Sequence, residues 1–96
     1  MDYEELRNTL IRKGKADEDR RSHHIFFFIE IHGKKYRATK ISHGARGKIA
    51  SIILSQISRQ MRLTNKELKS FVGCDIGLDD WIELWKLRGF QWGIYS

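Results

Sequence analysis

The chain has 96 residues, 41% of them hydrophobic, which is enough for one modest core, so we predict a single domain over residues 1–96. The formal net charge of +6 and the pI near 9.7 favour a polyanionic partner over an acidic one. The single cysteine excludes an intramolecular disulfide. The acidic start has no apolar leader, and no run reaches the roughly 18 apolar residues of a membrane span. We therefore expect a cytoplasmic protein without membrane contact.

Apolar side chains recur at helical spacing near the start of the chain, which predicts a first helix over residues 3 to 13. Gly14 is expected to cap this helix at its carboxyl end. Residues 15 to 22 then mix acidic and basic side chains around one apolar residue, Ala16, a pattern typical of a solvated loop.

Residues 23 to 31 are rich in β-branched and aromatic side chains, which predicts a strand. The odd positions are expected to face the core and the even positions to form a partly open face. Gly33 and Lys34 are expected to form the turn into a hairpin partner over residues 35 to 41.

A second helix is predicted after two glycines, Gly44 and Gly47, and reaches about residue 62. Its core stripe is expected to contain Ile49, Ile52, Ile53, Ile57 and Met61. The opposite side is expected to offer bases and hydroxyls to solvent: Lys48, Ser51, Ser55, Ser58, Arg59 and Arg62.

Two more helices are predicted towards the carboxyl end. Thr64 and Glu67 have the spacing of a capping box, which opens a short helix that Gly73 ends. A fourth helix is expected from Leu78, with acids in its first turns, bases in its last turn and Gly89 as its end. Three aromatic residues are assigned to the core: Phe71, Trp81 and Trp85. Alternating apolar residues in the tail, Phe90, Trp92 and Ile94, form either a short strand or a loose end. Cys74 is interpreted as a small buried residue.

These elements predict an α+β fold with a helix, a small antiparallel hairpin or sheet and a second helix, followed by extra carboxyl-terminal helices. The charge is unevenly spread over them. Residues 31 to 66 contain nine Lys and Arg and no Asp or Glu. The rest of the chain contains the other nine Lys and Arg and all twelve Asp and Glu, so its net charge is −3. A concentrated positive surface of this kind is suited to phosphates.

The histidines do not predict a metal site, because His23, His24, His32 and His43 lack paired ligand spacing. We expect no metal and no cofactor. Residues 44 to 47 precede a helix and are interpreted as a plain turn in preference to a phosphate cradle.

The sequence Ser22-His23-His24 at the start of the predicted strand is the stronger candidate for a catalytic site. Imidazole can take the proton of a ribose 2′-hydroxyl near neutral pH, and adjacent cations can hold the scissile phosphate. The alternative is a pair of surface histidines that merely begins a strand. The expected catalytic groups are His23, with His24 as the alternative if the register differs by one residue. The expected RNA-binding residues are Arg21, Lys35, Arg37, Lys40, His43, Arg46 and Lys48.

The stretch from Arg21 to Phe26, followed by a short hairpin and by Lys40-Ile41-Ser42-His43-Gly44 leading into the helix of residues 48 to 60, resembles the HicA mRNA interferase toxins. The resemblance covers roughly residues 3 to 62 and leaves residues 63–96 as a helical extension. It implies a fold like that of double-stranded-RNA-binding domains, metal-free endoribonuclease activity at His23, and a neutralising antitoxin of the HicB type as partner.

Two functions without catalysis remain as alternatives. One is an RNA-binding protein with the same fold, because a fold can outlast an activity. The other is a DNA-binding helix-turn-helix over residues 57 to 75, in which the helix that carries Lys66 and Lys69 would face DNA. Arg62 stands in the turn of this motif, where glycine is usual.

Overall fold

The computed structural model describes residues 1–73 and 75–88. Its three strands form one antiparallel sheet in the order β1-β2-β3, and helices precede and follow the sheet. The predicted α+β class is confirmed. The elements are α1 (Tyr3–Arg12), β1 (Asp17–Arg20), β2 (His24–Ile31), β3 (Lys34–Ser42), α2 (Ser51–Gln60), α3 (Asn65–Val72) and α4 (Leu78–Arg88).

The prediction of a loop over residues 15 to 22 is wrong, because β1 lies within it and pairs antiparallel with β2. Its four residues are all charged. Because β1 lies at the edge of the sheet, only one side of its backbone has to pair with another strand. Ion pairs of its side chains take the place of apolar packing. Arg7 of α1 donates two hydrogen bonds to Glu18, at 3.1 and 2.9 Å, and Arg20 lies 3.1 Å from the same carboxylate. A strand of charged residues has no alternation of apolar and polar side chains, so its sequence does not predict a strand.

The prediction for β2 is confirmed, since its odd positions are buried: Ile25, Phe27, Ile29 and Ile31. The turn into β3 comes one residue earlier than predicted, at His32 and Gly33, whose φ angles of 52° and 79° suit a tight hairpin turn. The register then shifts between Phe27 and Phe28. Because the pairing passes over Ala38, two basic residues of β3, Arg37 and Lys40, lie opposite residues of one face of β2.

The end of α1 shows why a glycine follows it. The left-handed residue is Lys15, with a φ of 54°, and not Gly14, as the predicted cap would require. A Cβ on Gly14 would stand 2.8 Å from the carbonyl oxygen of Leu10 and 2.9 Å from Cζ3 of Trp81. Gly14 is therefore needed for the close approach of α4.

Helix α2 departs from its predicted faces. It begins at Ser51, and Ile52, assigned to the core stripe, is 70% exposed. Ser58 and Arg62, assigned to the solvent side, are 1% and 6% exposed. The reason is that the helices after α2 pack against the side predicted to face solvent. The residues that α2 buries are therefore determined by the sheet on one side and by these helices on another.

The carboxyl-terminal helices are part of the main core. Phe71, Trp81 and Trp85 are fully buried, as predicted, and their rings meet edge to face or tilted at 5.0 and 6.1 Å between centroids. Trp85 also contacts Tyr36 of β3, with 6.2 Å between centroids. The capping box of Thr64 and Glu67 is present. In the part of the chain that the structure describes, no helix has the length and apolar content to cross a membrane. The predictions for Cys74, for Gly89 and for the tail concern positions outside the described residues.

Candidate functional site

Two of the predicted histidines meet at one end of the sheet. His23 directly precedes β2, and His43 directly follows β3. The backbone N–H of His43 donates to the carbonyl oxygen of His23 at 3.0 Å, which continues the β2–β3 pairing by one step. Both side chains are exposed to solvent. Residues 20 apart in the sequence are thus held side by side by the antiparallel register. We call this the histidine end of the sheet.

His24 has a different environment from His23. It is the first residue of β2, pairs with Ser42, and is partly buried. Its ring lies 6.1 Å from that of Phe26 at an interplanar angle of 59°. His24 therefore belongs to the face of the sheet that carries Phe26, while Ile25 beside it points into the core.

A cavity of about 440 Å³ lies next to the histidine end. Ile25 and Ile41 line it and are the paired residues two positions inside His23 and His43. The other wall is made by the start of α1 and by the loop before α2, and it is polar. The charged lining residues are Asp2, Glu4, Arg7 and Arg46. The cavity thus combines an apolar floor with charged walls, a composition typical of small-ligand sites.

Residues 43 to 50 form the loop beside the cavity, and backbone hydrogen bonds hold it against the amino terminus. Tyr3 N–H donates to Gly47 O at 3.0 Å, and Ile49 N–H donates to Met1 O at 3.1 Å. Gly44 and Gly47 have φ angles of 81° and 74°, which other residues rarely adopt. The loop presents Arg46 and Lys48 to solvent at a defined position.

The predicted RNA-binding residues divide into three groups. Arg21, His43, Arg46 and Lys48 lie at or near the histidine end of the sheet. Arg37 and Lys40 lie further along β3, opposite Phe28 and Phe26. Lys35 lies beside the hairpin turn, seven residues along β3 from Ser42 and so about 23 Å away at roughly 3.3 Å per residue. Its ammonium is 3.1 Å from Asp17. Lys35 therefore does not contribute to the histidine end.

Two other cations are partly or fully engaged within the protein. Arg62, a member of the predicted basic block, is buried, and this burial lowers the pKa of its guanidinium. Arg21 lies 2.8 Å from Asp19, and this hydrogen bond raises the pKa of Arg21. Because Arg62 is buried and Lys35 is ion-paired with Asp17, the basic block of residues 31 to 66 is not one continuous surface.

One of the charged residues that line the cavity is ion-paired within the protein. Arg7, which lines it, is bound by Glu18 in a two-pronged ion pair, and the hydrogen bonds from Arg7 lower the pKa of that carboxyl. Arg46 and Lys48 lie on the loop at the other wall, where Lys48 forms an isolated β-bridge with Asp2, so basic and acidic residues are neighbours there. Among residues 1–73 and 75–88, no group of His, Cys, Asp and Glu is arranged to hold a metal ion.

The second face of the sheet holds Arg37 and Lys40, which the sequence predicts to bind RNA, beside two phenylalanines to which it assigns no function. Phe26 and Phe28 of β2 are only partly buried there, with Arg37 and Lys40 opposite them on β3. We call these four residues and His24 the open face. The alternation of β2 indicated a partly open face, but the register shift at Ala38 was needed to place Arg37 on it.

Comparisons of the chain with models of protein families, with curated proteins and with solved structures find no match.

Proposed function

We propose that the protein is a HicA-like, metal-free endoribonuclease that cleaves mRNA at the histidine end of the sheet. The observation that carries the proposal is the pairing of His23 with His43 beside a cavity, with Arg46 and Lys48 on the adjoining loop. Two imidazoles and two cations are the groups that RNA cleavage by acid–base chemistry requires.

The order of the first five elements supports this proposal. Helix, antiparallel sheet and helix is the arrangement that the resemblance to the HicA toxins implies, and β1 supplies a strand before the Ser-His-His sequence. The likeness to double-stranded-RNA-binding domains is part of the proposal, as are the cytoplasmic location and a protein antitoxin of the HicB type.

In the proposed reaction, His23 takes the proton of the ribose 2′-hydroxyl. The 2′-oxygen then bonds to phosphorus as the bond from phosphorus to the 5′-oxygen breaks. His43, protonated, gives its proton to the departing 5′-oxygen. The products are a 2′,3′-cyclic phosphate and a 5′-hydroxyl, and Arg46 and Lys48 offset the charge that grows on the phosphoryl oxygens.

The test is to incubate the protein with single-stranded RNA in the presence of a chelator and to identify the product ends. His23→Asn is expected to abolish cleavage, because general acid–base catalysis contributes roughly 10²- to 10⁴-fold. His32→Asn is a matched control, since His32 is exposed at the far hairpin turn and asparagine tolerates its positive φ. Equal activity of the two variants would contradict the proposal, and His24→Asn tests the alternative base.

A helix-turn-helix that binds DNA is the second candidate, and one observation favours it. Residues 61 to 64 connect α2 and α3 in four residues, and Arg62 adopts the left-handed φ of 62° that such a turn needs. On α3, Lys66 and Lys69 are exposed, but Asn65 donates to Ser55 Oγ at 3.0 Å. Few side chains are thus left to read base edges. Tight, sequence-dependent binding of duplex DNA, lost in Lys66→Gln, would select this candidate.

Binding of RNA with a steep salt dependence, but without any cleavage, would instead select an RNA-binding protein without catalytic activity.

A further inference from the structure

The open face carries two aromatic rings on one strand. Phe26 and Phe28 are successive outward residues of β2, with 6.3 Å between their centroids and an angle of 24° between their planes. Both are partly exposed. A ligand that covers the apolar surface that these two rings still expose to water would be stabilised.

Two arginines lie over the Phe26 ring. The Cζ atoms of Arg21 and Arg37 each lie 5.6 Å from the Phe26 centroid. The corresponding distance between Arg62 and Trp85 in the core is 3.9 Å, which is face-to-face contact. At 5.6 Å these contacts are looser than the one in the core, so a base that stacks on Phe26 would replace a loosely held guanidinium over the ring.

Some charged residues on and beside the open face form ion pairs, and others do not. The acids of β1 on this side are engaged by two cations, Asp19 by Arg21 and Asp17 by Lys35. Within the described residues, neither Arg37 nor Lys40 makes an ion pair. The β3 side of the face therefore carries two positive charges without acidic partners, directly beside the rings of Phe26 and Phe28.

We propose that the open face is a second RNA-binding site, which stacks bases of single-stranded RNA on Phe26 and Phe28 and holds the adjoining phosphates with Arg37 and Lys40. The choice of RNA as ligand rests on the proposed function. Flat rings beside unpaired cations on a sheet are the combination that binds unstacked bases and the backbone together. A duplex hides its base faces, so single strands are favoured.

A protein partner fits the same face less well. Stable protein interfaces bury about 800 Å² per partner with an apolar centre. The only large apolar side chains that β2 offers here are the two phenylalanines, and charged residues of both neighbouring strands surround them. The ring of His24 lies 6.1 Å from that of Phe26, so one end of the open face is one residue away from His23 along the chain.

The probe for the test is a fluorescent 2′-O-methyl RNA of about ten nucleotides, within the range that single-strand sites occupy. It has no 2′-hydroxyl and cannot be cleaved, so binding is measured apart from catalysis. Phe26→Leu and Phe28→Leu keep an apolar side chain but remove the ring. Leu87→Ala is the matched control, because Leu87 is an 81% exposed apolar residue on α4.

Each phenylalanine substitution is expected to weaken binding of the single strand about 5- to 100-fold, which corresponds to one stacked base. Leu87→Ala should leave it unchanged. Arg37→Gln should weaken binding and reduce the slope of log Kd against log salt by about 1. A duplex of the same sequence should bind with little sensitivity to Phe26→Leu. Thermal unfolding of each variant checks that the fold is retained.

Two results would overturn the inference. One is equal affinity of wild type, Phe26→Leu and Phe28→Leu for the single strand. The other is self-association or capture of a protein partner that Phe26→Leu abolishes while RNA affinity stays the same. A wild-type protein that binds the probe through these rings but never cleaves RNA would contradict only the proposed function.

Discussion

Arginine meets an aromatic ring in two regions of this molecule, and the two contacts serve different purposes. In the corner between α2, α3 and α4, Arg62 stacks on Trp85 at 3.9 Å and donates to Gln60 O at 2.6 Å. On the open face, Arg37 lies 5.6 Å from Phe26 in contact with solvent. Burial makes the first contact a part of the fold, whereas exposure leaves the second available to a ligand.

The corner is held together from several sides at once. Trp81 donates its indole N–H to Met61 O at 2.8 Å, and Arg88 donates to Arg62 O at 2.6 Å while it binds both oxygens of Glu67. These bonds satisfy carbonyls that the end of α2 leaves open. We therefore expect substitutions in the corner to change stability, and substitutions at the histidine end and the open face to change binding.

The largest effect on stability is expected from Trp81→Ala. The indole is fully buried between Phe71 and Trp85, and its loss leaves a cavity and frees Met61 O. The free energy of unfolding should fall by about 3–5 kcal/mol, measured by urea denaturation. Leu87→Ala, exposed on the same helix, should change it by less than about 0.5 kcal/mol. A small loss in Trp81→Ala would mean that α4 does not belong to the cooperative core.

The next largest effect on stability is expected from a change of pH, through a carboxyl group in the corner. Hydrogen bonds from Arg88, helped by the N–H of Thr64, lower the pKa of Glu67 to about 2. A carboxyl with a lowered folded pKa stabilises the fold above its unfolded value near 4.5, and this contribution, on the order of 3 kcal/mol, is lost as the pH falls towards 2.

Glu67→Gln checks this assignment. The variant should be less stable than wild type at pH 7, and the difference should narrow between pH 4.5 and 2 in urea denaturation series. A difference that stays constant across this window would show that the ionised carboxylate is not the source.

A smaller loss is expected from Gly14→Ala. The added methyl group meets Leu10 O and Trp81 within 3 Å, so α4 must shift, at a cost of about 1–3 kcal/mol. Gly33→Ala provides a contrast, because its Cβ meets nothing within 4 Å and the φ of 79° costs only about 1 kcal/mol. Thermal unfolding compares the two, and a larger loss in Gly33→Ala would contradict the proposed role of Gly14.

The smallest effect on stability is expected from Arg46→Gln, because Arg46 is an exposed side chain in the loop beside the cavity. The free energy of unfolding should change by less than about 0.5 kcal/mol. RNA affinity should nevertheless fall, with a salt slope reduced by about 1. Unchanged affinity would remove Arg46 from the RNA-binding surface and weaken the distinction between the two regions.

Local patterns in the amino-acid sequence were enough to predict the elements with strong periodicity or complete end signals. Helix α1, strand β2, the capping box of α3 and the span of α4 follow from apolar spacing and capping residues, and the buried tryptophans follow from the same spacing. The pair of histidines at the start of β2 could also be recognised in the sequence. Because neighbouring residues of a strand point to opposite faces, only one of His23 and His24 was expected to act as the catalytic base.

The other features of the fold and of the candidate sites depend on contacts across the molecule. Strand β1 has no apolar residue and exists because β2 and Arg7 provide partners for it. Ser58 is buried and Ile52 exposed because helices beyond α2 determine which side of it is covered. The shift at Ala38 and the pairing of His23 with His43 set the two candidate sites. Each depends on contacts between distant residues, which local patterns do not encode.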